Sequence, residues 1–392
     1  MSDEHRPRVT GLMASLCAGM FVFGIVMAIL GAILPSLFAT IALDKAEAGN
    51  LFLVMNLAML IMSLAFGPVV DRFGFKAFLL VCAVFVAASL VLLSTAASYP
   101  AVLAAVAVLG FAGGGINGGA NALTSDLNPE RRGAALNIIG IFFGFGALTM
   151  PFLIGALLEH LGLRTILTIA AVLSLVPAVM YAALRFPRPK HEQGFPLAQA
   201  AQVVGNPLLW LCAFLLFFQS ANEFTVGGWI STYLGESIGF APAAASLVLA
   251  GYWAALMAGR FLSSRIVGRL GIARLVLGSA VLSLVAALIV VAASSPLVAC
   301  AGAILLGLGF AAVFPSTLAV VGEAFPAFTG TAFSVAFVVA LSGGMTAPWL
   351  TGRIAAASSL RQGMLVPVVA CAAIVVLQLV IMRALRQPAR QR

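Results

Sequence analysis

Apolar residues along this chain occur in continuous runs, without the alternation of a half-buried strand or the single stripe of an amphipathic surface helix. Short polar breaks divide the sequence into twelve runs, at 10–36, 48–70, 77–97, 100–126, 132–159, 163–186, 207–235, 243–266, 273–294, 296–323, 329–353 and 362–386. Each is close to the roughly 20 residues that an α-helix needs to cross a hydrocarbon core. Barrel strands would alternate with period two, and these runs do not. The pattern predicts an all-α polytopic membrane protein with 12 transmembrane helices.

Composition supports that reading. Of 392 residues, 62% are hydrophobic and 8% charged, against about 25% charged in a soluble domain. The 21 Lys and Arg exceed the 12 Asp and Glu, for a formal net charge of +9. In a soluble protein that excess would suggest nucleic acid. Here the basic residues sit in alternate breaks, among them Arg72, Lys76, Arg131, Arg132, Arg185 and Arg269, while the opposite breaks hold Lys45, Arg164, Arg353 and Arg361. This is the positive-inside bias of a membrane protein, so the lipid bilayer is the expected partner and nucleic acid is not. Both termini are expected on the cytoplasmic side of the cell (inner) membrane, with MSDEHRPR a retained tail. The 5 cysteines lie in apolar runs without CxxC or CxxH spacing, which predicts small packing residues and neither a disulfide framework nor a metal site.

Sliding the second half over the first at a constant offset of 197 residues superposes rare residues: Arg72 meets Arg269, Gly74 meets Gly271, Gly110 meets Gly307, Asp126 meets Glu323, and Pro151 meets Pro348. The chain thus reads as a six-helix half at 1–186, a cytoplasmic linker at 187–206 rich in Pro and charge, and a second six-helix half at 207–392. Parallel repeats of this kind build secondary transporters, in which solute binds midway between the halves.

The stretch GPVVDRFGFK, from Gly67 to Lys76, resembles the signature loop of the major facilitator superfamily at Gly67, Asp71, Arg72, Gly74 and Lys76. The PERRGAA segment, with Arg131 and Arg132, and the repeat around both extend the resemblance over nearly the whole chain. It implies the major facilitator fold, two pseudo-symmetric six-helix bundles, and a cytoplasmic gate at these residues and Asp126. In physical terms, Asp71 suits the free amides of a neighbouring helix N-terminus, while Arg72 and Lys76 suit Asp126 or Glu130. A charged turn that only fixes topology is the alternative.

Polar residues within spans are costly and face a cavity or another helix. In the fourth, Asn117 and Asn121 share one face beside a glycine stripe, Gly110, Gly114 and Gly118. The asparagines either line the path or tie helices; the stripe suits a close helix contact. In the seventh, Gln219, Asn222 and Glu223 share a face, followed by Gly227, Gly228 and Trp229, while the first helix offers Val22, Ile25 and Val26 at the matching positions. Glu223 is the carboxylate set well within a span and needs either a proton or a nearby cation. It is the candidate for proton coupling, with hydrogen bonding to solute hydroxyls as the alternative. Arg260 either snorkels to the interface or binds an anion. Tyr252, Trp253 and Phe314 are candidate stacking or packing residues, and Pro315 is expected to interrupt the tenth helix and free backbone carbonyls.

GINGGANAL, the NEFTVGGW stretch and GFAAVFPSTLA resemble the fucose permease and glucose/galactose branch of that superfamily. That likeness implies proton-driven symport of a neutral sugar, with acids in the first and fourth helices and an asparagine in the fifth. Asn137 matches the last, Asn117 stands where the fourth-helix acid aligns, and the first helix has no acid. The expected function is secondary active transport of a small organic solute, a neutral sugar or similar polyhydroxylated compound, coupled to protons or another ion, by a monomer. The alternative is proton-driven export of an amphipathic or drug-like compound along a wall of Phe142, Phe143, Phe218 and Phe314. The 3 histidines form no catalytic set and no GxxxxGK[ST] loop is present, so neither an enzyme nor an ATP-driven pump is expected, and no cofactor is implied.

Overall fold

The computed structural model of the protein describes residues 5–128, 132–187, 204–325 and 329–386. Its helices are α1 (His5–Ile41), α2 (Lys45–Thr95), α3 (Tyr99–Leu127), α4 (Arg132–Ala183), α5 (Pro207–Tyr233, continued by a π-helical turn at Leu234–Ile238), α6 (Pro242–Leu270), α7 (Ile272–Ala292), α8 (Pro296–Phe310), α9 (Val313–Ala324), α10 (Thr329–Ala357), α11 (Leu360–Gly363) and α12 (Leu365–Arg386). Proline opens α5, α6 and α8, where its missing N–H has no intrahelical partner to lose. At α2, Asp44 and Glu47 form a reciprocal capping box, with the Glu47 amide donating to the Asp44 carboxylate at 2.6 Å.

Helices α2 and α4 are each two crossing segments. Gly74 (φ 78°) breaks the first and Gly162 (φ 70°) the second, at a left-handed backbone that only glycine adopts without strain. Among the described residues, 11 stretches are long and apolar enough to cross a membrane, and one of them, Ile138–Ala183, runs for 46 residues across Gly162. At 1.5 Å per residue it is about 69 Å long, enough for two crossings. With that division the twelve predicted spans are all present.

The sequence repeat reappears in backbone geometry. Gly74 has φ 78°, ψ 159° and its counterpart Gly271 φ 76°, ψ 150°. Asn128, at the end of α3, has φ −130°, ψ 59°, and Phe325, at the end of α9, has φ −127°, ψ 58°. Contacts repeat too. A Cβ on Gly110 would strike the Met55 carbonyl oxygen, and a Cβ on Gly307 would strike that of Tyr252, the residue 197 positions after Met55. Likewise Gly146 lies against the Phe21 carbonyl and Gly343 against that of Phe217, one residue from strict register. Glycine serves here to bring two helix backbones together, as the stripe on α3 implied.

By contacts the chain forms two compact units, Met1–Gln193 with Pro242–Ala250, and Gly194–Ala241 with Gly251–Arg392. In the first, α1 packs on α4 and α2 on α3; in the second, α5 packs on α10 and α12, and α7 on α8. The second unit has a buried core of Leu209, Cys212, Leu215, Val276, Val313 and Ile374. The predicted linker at 187–206 lies largely outside the described residues.

Candidate functional site

The polar face of α5 is the centre of a buried cluster in the second unit. Gln219 and Asn222 are fully buried. The Gln219 side-chain amide donates to Glu223 Oε1 at 2.8 Å, one helical turn away, and also to the Phe310 carbonyl at 3.2 Å. That carbonyl is available because α8 ends at Phe310, and last-turn carbonyls lack an intrahelical donor. The interruption falls just before Pro315, which lacks an N–H and whose ring would clash with the carbonyl four residues back, at Ala311. The predicted proline break therefore exists, and the freed carbonyl at its edge is taken by Gln219 rather than by Ser316.

Helix α6 completes the cluster. It carries Tyr252 and, two turns further along, Arg260. Tyr252 is fully buried and stacks edge-on against Phe310 at 6.3 Å and Trp253 at 5.3 Å. From α12, Cys371 Sγ accepts from the Asn222 side-chain amide at 3.3 Å. Among the described residues, Gln219 Oε1, Asn222 Oδ1, the Thr225 and Tyr252 hydroxyls and Arg260 Nε make no hydrogen bond. Buried polar atoms are rarely left so. The cluster therefore holds acceptors, hydroxyls and a cationic donor beyond those its own folding uses.

The other predicted residues divide by unit and by element. Trp229 is buried on α5 and donates to the Pro348 carbonyl of α10 at 3.0 Å, a helix tie. Gly227 makes room for the Trp253 ring, so this glycine is occupied by packing. Phe314 packs with Leu216, Ala336 and Ala340, in apolar surroundings apart from the polar group. In the first unit, Asn121 donates to both the backbone carbonyl and Oδ1 of Asn117 at 2.8 and 2.9 Å, which ties the two asparagines together along one face of α3. Val26, the counterpart of Glu223, lies against Gly113 of α3. The side chain of Asn137 is outside the described residues.

At the signature loop, Lys76 meets backbone carbonyls and not Asp126, while Glu130, the other expected partner, lies outside the described residues. Its ammonium donates to the carbonyls of Ala182 at 2.7 Å and Leu184 at 3.0 Å, closing the end of α4. A lysine there meets the negative end of the helix dipole and two unsatisfied carbonyls together. Arg72 is exposed, with its guanidinium 5.3 Å from the Phe73 ring centre. Asp126 is also exposed. The side chains of Gly67, Asp71 and Arg132, and Arg131 altogether, are outside the described residues, as is Glu130.

Two participants escaped the sequence reading. Cys371 is a hydrogen-bond acceptor and not only a packing residue; a lone cysteine in an apolar run gives no such signal. Asn56 is fully buried on α2, donating to Phe52 O at 2.9 Å with its own Oδ1 lacking a partner among the described residues. The rule applied to Asn117, that polar residues within spans are exceptional, would have found it.

Twelve membrane-crossing segments in two repeated bundles, with a partly unsatisfied polar cluster inside one of them, define a solute transporter. The Major Facilitator Superfamily profile matches residues 16–221 and 209–392, and the chain belongs to that family of secondary transporters. It is 25% identical over 341 residues to an uncharacterized MFS-type transporter of Yersinia pestis, covering 87% of this chain and 88% of the other. It is also 25% identical over 358 residues to an uncharacterized transporter of Sinorhizobium fredii, covering 88% and 92%. The fold is shared with a bacterial homolog of the human lysosomal transporter Spinster (TM-score 0.80, 15% identity, 98% and 99% of the two chains). A D-xylose-proton symporter shares it as well (0.79, 16%, 95% and 97%), as does a variant of the nucleoside transporter NupG (0.78, 18%, 95% and 99%).

Proposed function

We propose that this transporter moves a small polyhydroxylated solute of the sugar type by alternating access, with Glu223 carrying the coupling proton. The observation that supports this most directly is the set of unsatisfied polar atoms on α5 and α6: Gln219 Oε1 and Asn222 Oδ1, on the face that carries Glu223, with the Tyr252 hydroxyl and Arg260 Nε on α6. A solute hydroxyl that leaves water needs a donor or acceptor in exchange, and each unmet one costs about 1–3 kcal/mol. This cluster offers both kinds, next to the aromatic faces of Tyr252 and Phe310. An ionised carboxylate among apolar helices is tolerated only with a cation and donors beside it, and a proton is the other way to remove its charge. Glu223 has the Gln219 amide as a donor and can take a proton, which is what a coupling residue requires.

Two sharers of the fold are named for solutes of this class, a nucleoside and D-xylose. The likeness of GINGGANAL and GFAAVFPSTLA to the fucose permease and glucose/galactose branch points the same way. In this reading the protein works as a monomer in the inner membrane, both termini inside, with 1–186 and 207–392 as the moving halves and the signature loop, with Asp71 and Arg72, together with Asp126, Arg131 and Arg132, as the cytoplasmic gate.

Counterflow in proteoliposomes with labelled sugars tests the solute class, and solute-driven pH change in Glu223→Gln against the parent tests the coupling. We expect exchange with sugars, and loss of proton movement in the variant. Extrusion of lipophilic cations without sugar exchange would replace the proposal with the exporter alternative. Proton movement that survives Glu223→Gln would remove Glu223 from the coupling role.

A further inference from the structure

Resting on the site just proposed, we infer that Cys371 is a positioning residue: by holding the Asn222 amide nitrogen it turns Asn222 Oδ1 toward the solute, so that residue 222 selects a hydroxyl that donates. Asn222 and Gln219 lie three residues apart on α5, and both are fully buried. Their amides are used in the same sense. The Gln219 nitrogen donates to Glu223 Oε1 at 2.8 Å and to the Phe310 carbonyl at 3.2 Å, which occupies both of its N–H groups. The Asn222 nitrogen donates to Cys371 Sγ of α12 at 3.3 Å. On each side chain the oxygen is left over, and neither Gln219 Oε1 nor Asn222 Oδ1 has a partner among the described residues. Amides placed only to satisfy the fold would spend their acceptors as well as their donors.

What holds the two amides differs. Gln219 is set by a carboxylate and a carbonyl, which accept its N–H groups and repel its oxygen. Asn222 is set by one sulfur. Cys371 is fully buried and its Sγ is a weak acceptor, strong enough to choose between the two ends of an amide. Asn222 therefore keeps its oxygen toward the solute only while residue 371 supplies an acceptor. A solute hydroxyl meeting that oxygen has to donate its proton, and a buried acceptor rejects a group that cannot. Fluorine makes the distinction visible, since it takes nearly the space of a hydroxyl and accepts weakly but has no proton to give. With an apolar side chain at 371 the Asn222 nitrogen loses its acceptor. The amide then turns to offer an N–H to the solute, because a buried N–H without a partner is costly. Cys371 thus acts on the solute through Asn222, without touching it.

The experiment uses the full-length protein in proteoliposomes. Counterflow of labelled D-glucose or D-xylose, whichever the parent exchanges, is competed by derivatives of that sugar with one hydroxyl at a time replaced by hydrogen or by fluorine. In the parent we expect two hydroxyl positions, one for each amide oxygen, at which both replacements weaken competition by at least about 10-fold. In Cys371→Val one of them should become tolerant of fluorine, to within about 3-fold of the unmodified sugar, while hydrogen is still rejected. Cys371→Ala, smaller than the thiol, should give the same pattern as valine. The other position, which reports Gln219, should behave as in the parent and so shows that the site is intact. Cys371→Ser, whose hydroxyl accepts as the sulfur does, should restore rejection of fluorine at both. A role for Cys371 in packing alone would change the rate of exchange and leave the order of the analogues as it is. Rejection of fluorine at both positions in the valine and alanine variants overturns the positioning role, as does tolerance at both, and so does a parent that accepts fluorine everywhere; the proposed function stands in each case. If the parent exchanges no sugar, both readings fall.

Discussion

Replacing Gln219 with methionine keeps the side-chain volume and removes both hydrogen bonds of its amide. The bond to Glu223 Oε1, 2.8 Å, goes to a carboxylate and is worth about 1.5–3 kcal/mol in that class. The 3.2 Å bond to the Phe310 carbonyl closes the end of α8, and leaving that buried acceptor unmet costs about 1–3 kcal/mol. Against this, Gln219 Oε1 has no partner among the described residues, so deleting it returns about 1–3 kcal/mol. The balance is a loss of about 1–3 kcal/mol, or roughly 2–4 °C in Tm for each kcal/mol in a unit of this size. Asn222→Val is the control. It gives up one weak bond to Cys371 Sγ at 3.3 Å and also deletes an unmatched Oδ1, so its Tm should stay within about 2 °C of the parent. A thiol-reactive fluorophore reads unfolding directly, because Cys17, Cys82, Cys212 and Cys371 are buried in the folded state. If Asn222→Val destabilises as much as Gln219→Met, hydrogen bonding around Glu223 does not hold this part of the bundle together and the account of the cluster is wrong.

Gly110→Ala and Gly307→Ala each place a Cβ against a backbone carbonyl and should each destabilise by about 1–3 kcal/mol. Gly140→Ala, with open space around its Cβ, should be neutral or stabilise by up to about 1 kcal/mol through helix propensity, and a common thermal scan separates the three. Lys76→Met removes both donors from the Ala182 and Leu184 carbonyls and should speed amide hydrogen exchange in the last turn of α4, with Lys76→Arg intermediate; unchanged exchange in the methionine variant would refute the capping role.

Features that depend on chain-local pattern were legible in the sequence. The spans follow from apolar runs, and the breaks at Gly74 and Gly271 follow from polar, glycine-bearing loops at one offset. The glycine stripe on α3 announced a close contact through spacing alone. Pairings were legible only in part. Glu223 had to have a cation or a proton, but its hydrogen-bond donor, the Gln219 amide, is shared with the Phe310 carbonyl, and that carbonyl is set beside α5 only by the packing of helices. Asn222 and Cys371 lie 149 residues apart, and no periodicity connects them. Lys76 was assigned to side-chain anions because those carry a letter in the sequence, whereas its partners are backbone carbonyls, which every residue has.

The glycine at 307 presses on the backbone of Tyr252, as the glycine at 110 presses on that of Met55. In both places the contact between helices is made by main chain on one side and the absence of a side chain on the other. The identity of residue 252 therefore carries no share of that contact, and its phenol is free to serve the cluster. A joint built this way does not itself depend on which side chain the residue carries, so one duplicated framework can hold methionine at the first position and tyrosine at the second. Replacing residue 252 therefore costs only the packing of its own ring against Phe310 and Trp253, about 3–5 kcal/mol for a truncation to alanine, and leaves the helix contact in place, while its glycine partner should accept almost no larger residue.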